Sequence, residues 1–227
     1  MSGFFVTSSG TGIGKTLVAC LIARRLREAG RGVWAIKPVL TGYTSDDALT
    51  SDSGRLLAAL GEQATGAAIA AISPWRFQAP LSPDMAAARE GCTLVLDEIT
   101  DFCRAQADGG GDLLVEGIGG VMVPLTPTET VLDLMAALCF PAILVVGSYL
   151  GTLSHTLTAA AALESRKVPI ASVVVSETEE SPVPLAETVG VLSRFLAPLP
   201  VLTLPRLDEG AELSPGTPDL IAALGPR

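Results

Sequence analysis

Aromatic residues are scarce in this chain: Phe, Trp and Tyr together make up 4% of 227 residues. A core without many rings must be built from smaller side chains, and Ala, Val and Leu are abundant, which suits helices packed closely on a sheet. Histidine occurs once, as His155, and cysteine four times, as Cys20, Cys92, Cys103 and Cys139. None of the cysteines falls in C-x-x-C spacing, so neither a zinc cluster nor a disulfide framework is readable, and free thiols are the simplest account. Basic residues are outnumbered, 15 against 24 acidic, for a net charge of −9. That balance argues against nucleic acid or an anionic membrane as a main partner. Any anion site must then be built locally, from a loop and one or two lysines. Long uninterrupted apolar runs are also missing. The most apolar region, Val131 to Val146, is broken by Asp133 and Pro141, and reads as helix, break and buried strand, not a membrane span. The first residues have neither a basic start nor a long apolar stretch, so a cytoplasmic protein is expected. No internal repeat stands out.

What is present is a hydrophobic content of 48% arranged in short runs. Strand-length runs occur at Phe4–Val6, Val33–Ile36, Leu113–Val115, Ala142–Val146, Ile170–Val175 and Val201–Leu204. Most are continuous, as expected for parallel strands covered on both faces. Helical stretches alternate with them, near Lys15–Ala29, Ser53–Leu60, Thr93–Ala107, Thr130–Leu138, Ser154–Lys167 and Pro184–Leu196. The pattern predicts one α/β domain over residues 1–227, a doubly wound, mostly parallel sheet with helices on both faces. Three loops exceed what packing needs: Pro38 to Ser51, Ser73 to Pro83 and Gly117 to Glu129. The Gly- and Pro-containing tail after Arg206 is expected at the surface.

The sharpest motif is Thr7-Ser8-Ser9-Gly10-Thr11-Gly12-Ile13-Gly14-Lys15-Thr16, between the first apolar run and a helix beginning Leu17-Val18-Ala19. Strand, Gly-rich turn ending Gly-Lys-Thr, then helix is the layout of a P-loop. Glycines let backbone N–H groups converge on an anion, and the helix N-terminus adds partial positive charge. Lys15 can reach the outer phosphates, and the Thr16 hydroxyl is placed for a bridging Mg²⁺. The consensus opening glycine is replaced by Ser9.

Other candidates fall at strand ends, where ligands bind in such folds. Lys37 leaves the second strand just before Pro38, followed by Thr41 and Tyr43 as possible donors to a substrate. Leu113-Leu114-Val115-Glu116 runs into an acid at a strand end, the Mg²⁺ position of P-loop enzymes, and Gly117-Ile118-Gly119-Gly120 lets backbone pass close to a ligand. Asp52 begins a helix and is either its N-cap or an oxygen ligand near the phosphates, with Asp46 and Asp47 as weaker competitors. Gly147 to His155 joins a strand to a helix and suits a carboxylate-binding turn. His155 is expected in a structural hydrogen bond. No Ser/His/Asp triad is readable.

Taken together these elements resemble the dethiobiotin synthetase family over nearly the whole chain. The residues are Thr11 to Thr16, Lys37-Pro38-Val39 with Thr41-Gly42, Ser51-Asp52, Pro74-Trp75-Arg76-Phe77, Pro80-Leu81-Ser82-Pro83, Val115 to Gly120, Leu144 to Gly147 with Leu150-Gly151, and Pro205-Arg206-Leu207. The resemblance implies CO₂ uptake by one amine of 7,8-diaminononanoate, ATP-driven phosphorylation of the carbamate, and ring closure by the second amine. It implies Lys37 and Lys15 as catalytic groups. Nucleotide contacts would come from Gly12, Ile13, Gly14, Lys15, Thr16, Leu17, Asp52, Glu116, Gly117, Ile118, Gly119, Ser176, Glu177, Pro205, Arg206 and Leu207. Substrate contacts would come from Thr11, Lys37, Thr41, Leu150, Gly151 and Thr152, and Mg²⁺ ligands from Thr16, Asp52 and Glu116. A homodimer with its active site at the interface is also implied. This chain departs from the family pattern at Ser8-Ser9-Gly10-Thr11, where Gly-Thr-Asp-Thr is usual, at Asp84 in place of His, and at Ser176 in place of an adenine-reading Asn. A hydroxyl cannot copy an amide's paired donor and acceptor, so weakened base discrimination is expected.

Three alternatives compete. A partition- or nitrogenase-iron-protein-type regulatory ATPase would carry a lysine where Gly10 stands. A related amidoligase of cofactor biosynthesis would bring a glutaminase domain, for which 227 residues leave no room. A non-catalytic nucleotide-binding module would form no product.

Overall fold

The computed structural model describes residues 2–107, 109–207 and 219–225. Strand β1 (Ser2–Ser8) leads through the Gly-rich turn into α1 (Lys15–Glu28), and β2 (Val33–Ile36) follows. Then come β3 (Val39–Thr41), α2 (Asp52–Leu60), α3 (Gly66–Ile72), β4 (Trp75–Phe77), α4 (Pro83–Arg89) and α5 (Leu96–Ala107). The chain continues with β5 (Asp112–Glu116), α6 (Val131–Leu138), β6 (Ala142–Val146), α7 (Thr152–Ser165), β7 (Ile170–Ser176), α8 (Leu185–Phe195) and β8 (Val201–Leu204).

Six strands form one parallel sheet in the order β2-β5-β1-β6-β7-β8. Every residue of β5 and β6 is buried, the reason these strands read as unbroken apolar runs. Successive side chains feed opposite faces. Phe5, Leu113, Val115, Leu144 and Val146 enter a core completed by Ile99, Leu134, Leu163 and Leu192. Phe4, Val6, Leu114, Ile143 and Val145 enter the other core, against Leu21 and Ile22 of α1 and Leu56 of α2.

Helix ends follow local chemistry. Gly30, at φ 70°, lets the chain turn out of α1 while the Arg31 N–H donates back to the Leu26 carbonyl. Gly61, at φ 81°, does the same for α2. Helix α7 starts at Thr152, two residues earlier than Ser154, because Gly151 at φ 98° already turns the backbone into it.

Two expected loops contain short structure. Strands β3 and β4 pair in parallel as a separate two-stranded sheet, with the Lys37 N–H donating to the Ile72 carbonyl just before it. Each strand has three residues and a proline nearby, too little for a periodic signal. The tail after Arg206 also departs from expectation. Residues 208–218 lie outside the described residues, but Leu220, Ala223 and Leu224 are buried in the α1-side core. The Ser172 hydroxyl donates to the Ala223 carbonyl at 2.7 Å.

Candidate active site

The C-terminal ends of β1, β2 and β5 open onto a cavity of about 560 Å³. Its wall includes Thr11, Gly12, Ile13, Gly14, Lys15, Thr16 and Leu17 of the first turn, with Lys37, Thr41, Asp52, Glu116, Ile118 and Gly119. All three long loops reach it, through Thr41, through Pro80 to Pro83, and through Ile118, Gly119 and Val123. Arg55 and Val123 also line it and were not singled out from the sequence. Arg55 lies one turn after Asp52 on α2, and that i, i+3 spacing is the signal that could have found it.

Sheet register explains why distant residues meet. Ile36 of β2 lies beside Val115 of β5, so the next residues, Lys37 and Glu116, emerge side by side. Lys37 Nζ donates to Glu116 Oε1 at 2.7 Å and to the Gly117 carbonyl at 3.2 Å. It also lies 3.1 Å from Asp52 Oδ2. Thr16 Oγ1 donates to the same Glu116 Oε1 at 2.7 Å. Lys37 is 2% exposed and Glu116 1%. Burial alone would push the Lys37 ammonium down, but the two carboxylates outweigh it and hold its pKa above the ordinary lysine value. Asp52 is the mirror case: burial would raise its pKa, and Lys37 brings it below the usual carboxylate value.

Asp52 does not cap its helix. Ser51 is the N-cap of α2, its hydroxyl accepting the Gly54 N–H at 3.1 Å. Asp52 therefore stands one residue inside the helix with its carboxylate turned to Lys37.

Lys15 takes another environment. Its ammonium donates to Ser8 Oγ at 3.1 Å and to the Gly10 carbonyl at 3.4 Å. Burial, reinforced by repulsion from Lys37, lowers its pKa to about 8. Gly14 holds φ 100°, and a Cβ there would stand 3.0 Å from Ser176 Oγ. The conformation favours glycine, and the close approach would displace the Ser176 hydroxyl if a side chain were added.

The donor set suits a hard divalent cation. Thr16, Asp52 and Glu116 converge with oxygen atoms, and Glu116 Oε2 is buried with no hydrogen-bond partner. An orphaned buried carboxylate oxygen is the kind of ligand Mg²⁺ takes. Among the described residues no group of three His, Cys, Asp or Glu side chains could hold a metal, so a cation here would need the Thr16 hydroxyl and ligands brought by a nucleotide in addition to the two carboxylates.

The remaining sequence candidates lie outside the cavity wall. Gly117 acts through its carbonyl, on Lys37. Ser176 ends β7, bedded against Gly14. The Glu177 N–H donates to the Leu204 carbonyl at 2.8 Å, and its carboxylate accepts the Arg206 N–H at 3.0 Å. Pro205, Arg206 and Leu207 follow β8, next to the end of β7 in the sheet. Leu150, Gly151 and Thr152 form the turn into α7. Leu150 is 85% exposed, and the Thr152 hydroxyl is taken up by the Gly147 carbonyl at 2.7 Å. His155 meets its structural expectation, its Nδ1 lying 2.9 Å from the Tyr149 hydroxyl. Asp46 and Asp47 sit in an exposed 3₁₀ turn.

Comparison with known proteins separates fold from family. A ParA family ATPase from Chlorobium tepidum superposes with a TM-score of 0.55 at 15% identity, over 93% of this chain and 87% of that one. A chain of the MinC:MinD cell division protein complex of Aquifex aeolicus gives 0.55 at 13% identity, over 92% and 83%. At these identities the likeness concerns the fold alone. A family model described as an AAA domain matches residues 2–209. An ATP-dependent dethiobiotin synthetase BioD from Acidiphilium cryptum is 48% identical over 202 residues, covering 88% of this chain and 91% of that protein. Another from a Caulobacter species is 47% identical over 229 residues, covering 100% and 97%. The chain belongs to the dethiobiotin synthetase family.

Proposed function

We propose that this protein is an ATP-dependent dethiobiotin synthetase, which takes 7,8-diaminononanoate, CO₂ and ATP to dethiobiotin, ADP and phosphate. The observation that carries this reading within the site is the buried Lys37 ammonium, braced by Glu116 and Asp52 on the wall of a P-loop cavity. A carbamate and a triphosphate repel each other, and fixed cations between them offset that repulsion as charge moves in transfer.

Backbone N–H groups of the Gly12 to Thr16 turn and the N-terminus of α1 would hold the phosphates, with Lys15 beside them. Lys37 would neutralise the carbamate oxygen as it bonds to the γ-phosphorus and the bond to ADP breaks. The second amine then attacks the carbamoyl carbon, and phosphate leaves. Thr11 and Thr41, both on the cavity wall, are suited to orient the diamine. Once it is held, ring closure is intramolecular, so positioning supplies much of the acceleration. Thr16, Asp52 and Glu116 would hold a Mg²⁺, which when bound screens the phosphate charge. Ser176, Glu177 and Pro205 to Leu207 are assigned to the base end of the nucleotide.

Leu150, Gly151 and Thr152 are assigned to the substrate carboxylate of a second copy in a homodimer. Their position away from the cavity wall and the exposure of Leu150 support that reading. Cytoplasmic location is part of the proposal; among the described residues no helix is long and apolar enough to cross a membrane.

The test is dethiobiotin detected by mass spectrometry, with ATP, bicarbonate and diamine omitted in turn. Product must require all three. Lys37→Gln should keep the ATP Kd within a few-fold while kcat falls by about 10²-fold or more, the range for an electrostatic clamp. Lost ATP affinity with kcat retained at saturation would make Lys37 a nucleotide anchor.

A further inference from the structure

The P-loop of this chain contains a hydroxyl that the reaction as described does not use. Ser8, the last residue of β1, is fully buried. Its Oγ lies within hydrogen-bond distance of three groups: the Gly10 carbonyl, the Gly119 carbonyl at 3.0 Å and Lys15 Nζ at 3.1 Å. A hydroxyl has one proton and two acceptor lone pairs. Both carbonyls can only accept, so the proton is committed to one of them. Lone-pair density is thereby left facing the Lys15 ammonium, which can only donate. The polarity of the contact is fixed by its surroundings.

The backbone of Ser8 is tied in as well. Its carbonyl accepts the Val121 N–H at 3.0 Å. A Cβ on Gly120 would meet the Gly10 backbone at 3.2 Å and the Ser8 carbonyl at 3.3 Å. The loop that follows Glu116 therefore lies directly against the phosphate turn, and Ser8 touches both. An ammonium has three N–H groups. Ser8 Oγ and the Gly10 carbonyl take two, which leaves one for the cavity that Lys15 lines.

We propose that Ser8 is a positioning residue for Lys15: its hydroxyl brackets the ammonium so that one N–H faces the phosphates. Neither Gly nor Ala at this position would supply the acceptor. Lys15 would then sample other rotamers in the nucleotide-free site, and the entropy of fixing it would fall on nucleotide binding. The inference rests on the reading of this turn as the seat of a triphosphate.

The experiment is a double-mutant cycle on the full-length protein. ATP Kd is measured by calorimetry without diamine for wild type, Ser8→Ala, Lys15→Gln and the double variant, beside thermal melts. Ser8→Ala should weaken ATP by about three- to tenfold, the range of one buried hydrogen bond, and by less than about twofold in the Lys15→Gln background. An equal loss in both backgrounds would make Ser8 a support for the loop and overturn the proposal, as would no loss in either. If Ser8→Ala does not fold, Ser8→Cys, which keeps the bulk with a poor acceptor, is carried through the same cycle with the same expectation. Failure of wild type to bind ATP would strike the functional reading itself, an outcome distinct from the other two.

Discussion

Replacing Lys37 with Met removes a charge from a place where two others depend on it. Lys37 and Glu116 are 2% and 1% exposed and 2.7 Å apart. Lys37→Met would leave the Glu116 carboxylate buried, with the Thr16 hydroxyl as its remaining donor. Breaking a buried pair from one side costs about 3–5 kcal/mol, because the stranded ion keeps its desolvation penalty. In a protein of this size each kcal/mol shifts Tm by about 2–4 °C, so a fall of roughly 6–20 °C is expected. Asp52, being partly exposed, is left out of this sum. The loss comes from an uncompensated charge and not from lost packing, so a second substitution should reverse most of it. In Lys37→Met/Glu116→Gln neither member of the pair is left as a stranded ion, and Tm should recover at least half the loss. The assay is thermal melting of wild type, Lys37→Met, Glu116→Gln and the double variant without nucleotide or divalent cation. A single variant that melts within about 2 °C of wild type, corresponding to no more than about 1 kcal/mol, would show that the pair carries little energy. A double variant melting as low as the single would show that the cost is packing.

Lys15 has a pKa near 8, below the ordinary lysine value, and phosphates bind its charged form. ATP affinity should therefore fall as pH rises through about 8, with proton uptake on binding above that pH; calorimetry in buffers of different ionisation heat checks both. Asp52→Asn should weaken Mg²⁺-dependent ATP binding more than metal-free binding, and a nucleotide–Mg²⁺ structure with Asp52 turned away from the metal would remove it from the ligand set. Ser176 cannot offer a base the paired donor and acceptor of an amide. The kcat/KM for ATP should then exceed that for CTP and GTP by less than about 10³-fold, and a larger preference would point to readout by backbone.

The regulatory-ATPase alternative is instructive, because the fold does not exclude it: ParA and MinC:MinD structures superpose over most of the chain. The decision lies in side chains. Gly10 stands where such switches carry a second lysine, and Lys37, which they do not need, is buried against Glu116 and Asp52.

The amino-acid sequence by itself determined the parallel sheet, the phosphate turn and the strand-end acid. These are written in local order: continuous apolar runs bury on both faces, glycines precede Lys15 at fixed spacing, and Glu116 ends an apolar run. It also marked Lys37, which ends the second apolar run directly before Pro38. Tertiary structure alone decided how these parts combine. β5 inserts between β1 and β2, and that register sets Glu116 beside Lys37 across 79 positions of chain and beside Thr16 across 100. No local signal carries such a pairing, because it depends on which strand lies next to which. Asp52 was open for the same reason: its sequence position suits a cap until Ser51 is seen to take that place and Asp52 to face Lys37. The segment that buries Leu220, Ala223 and Leu224 looked like surface because its partners lie on α1 and β7, far away in sequence and adjacent only once the sheet is assembled.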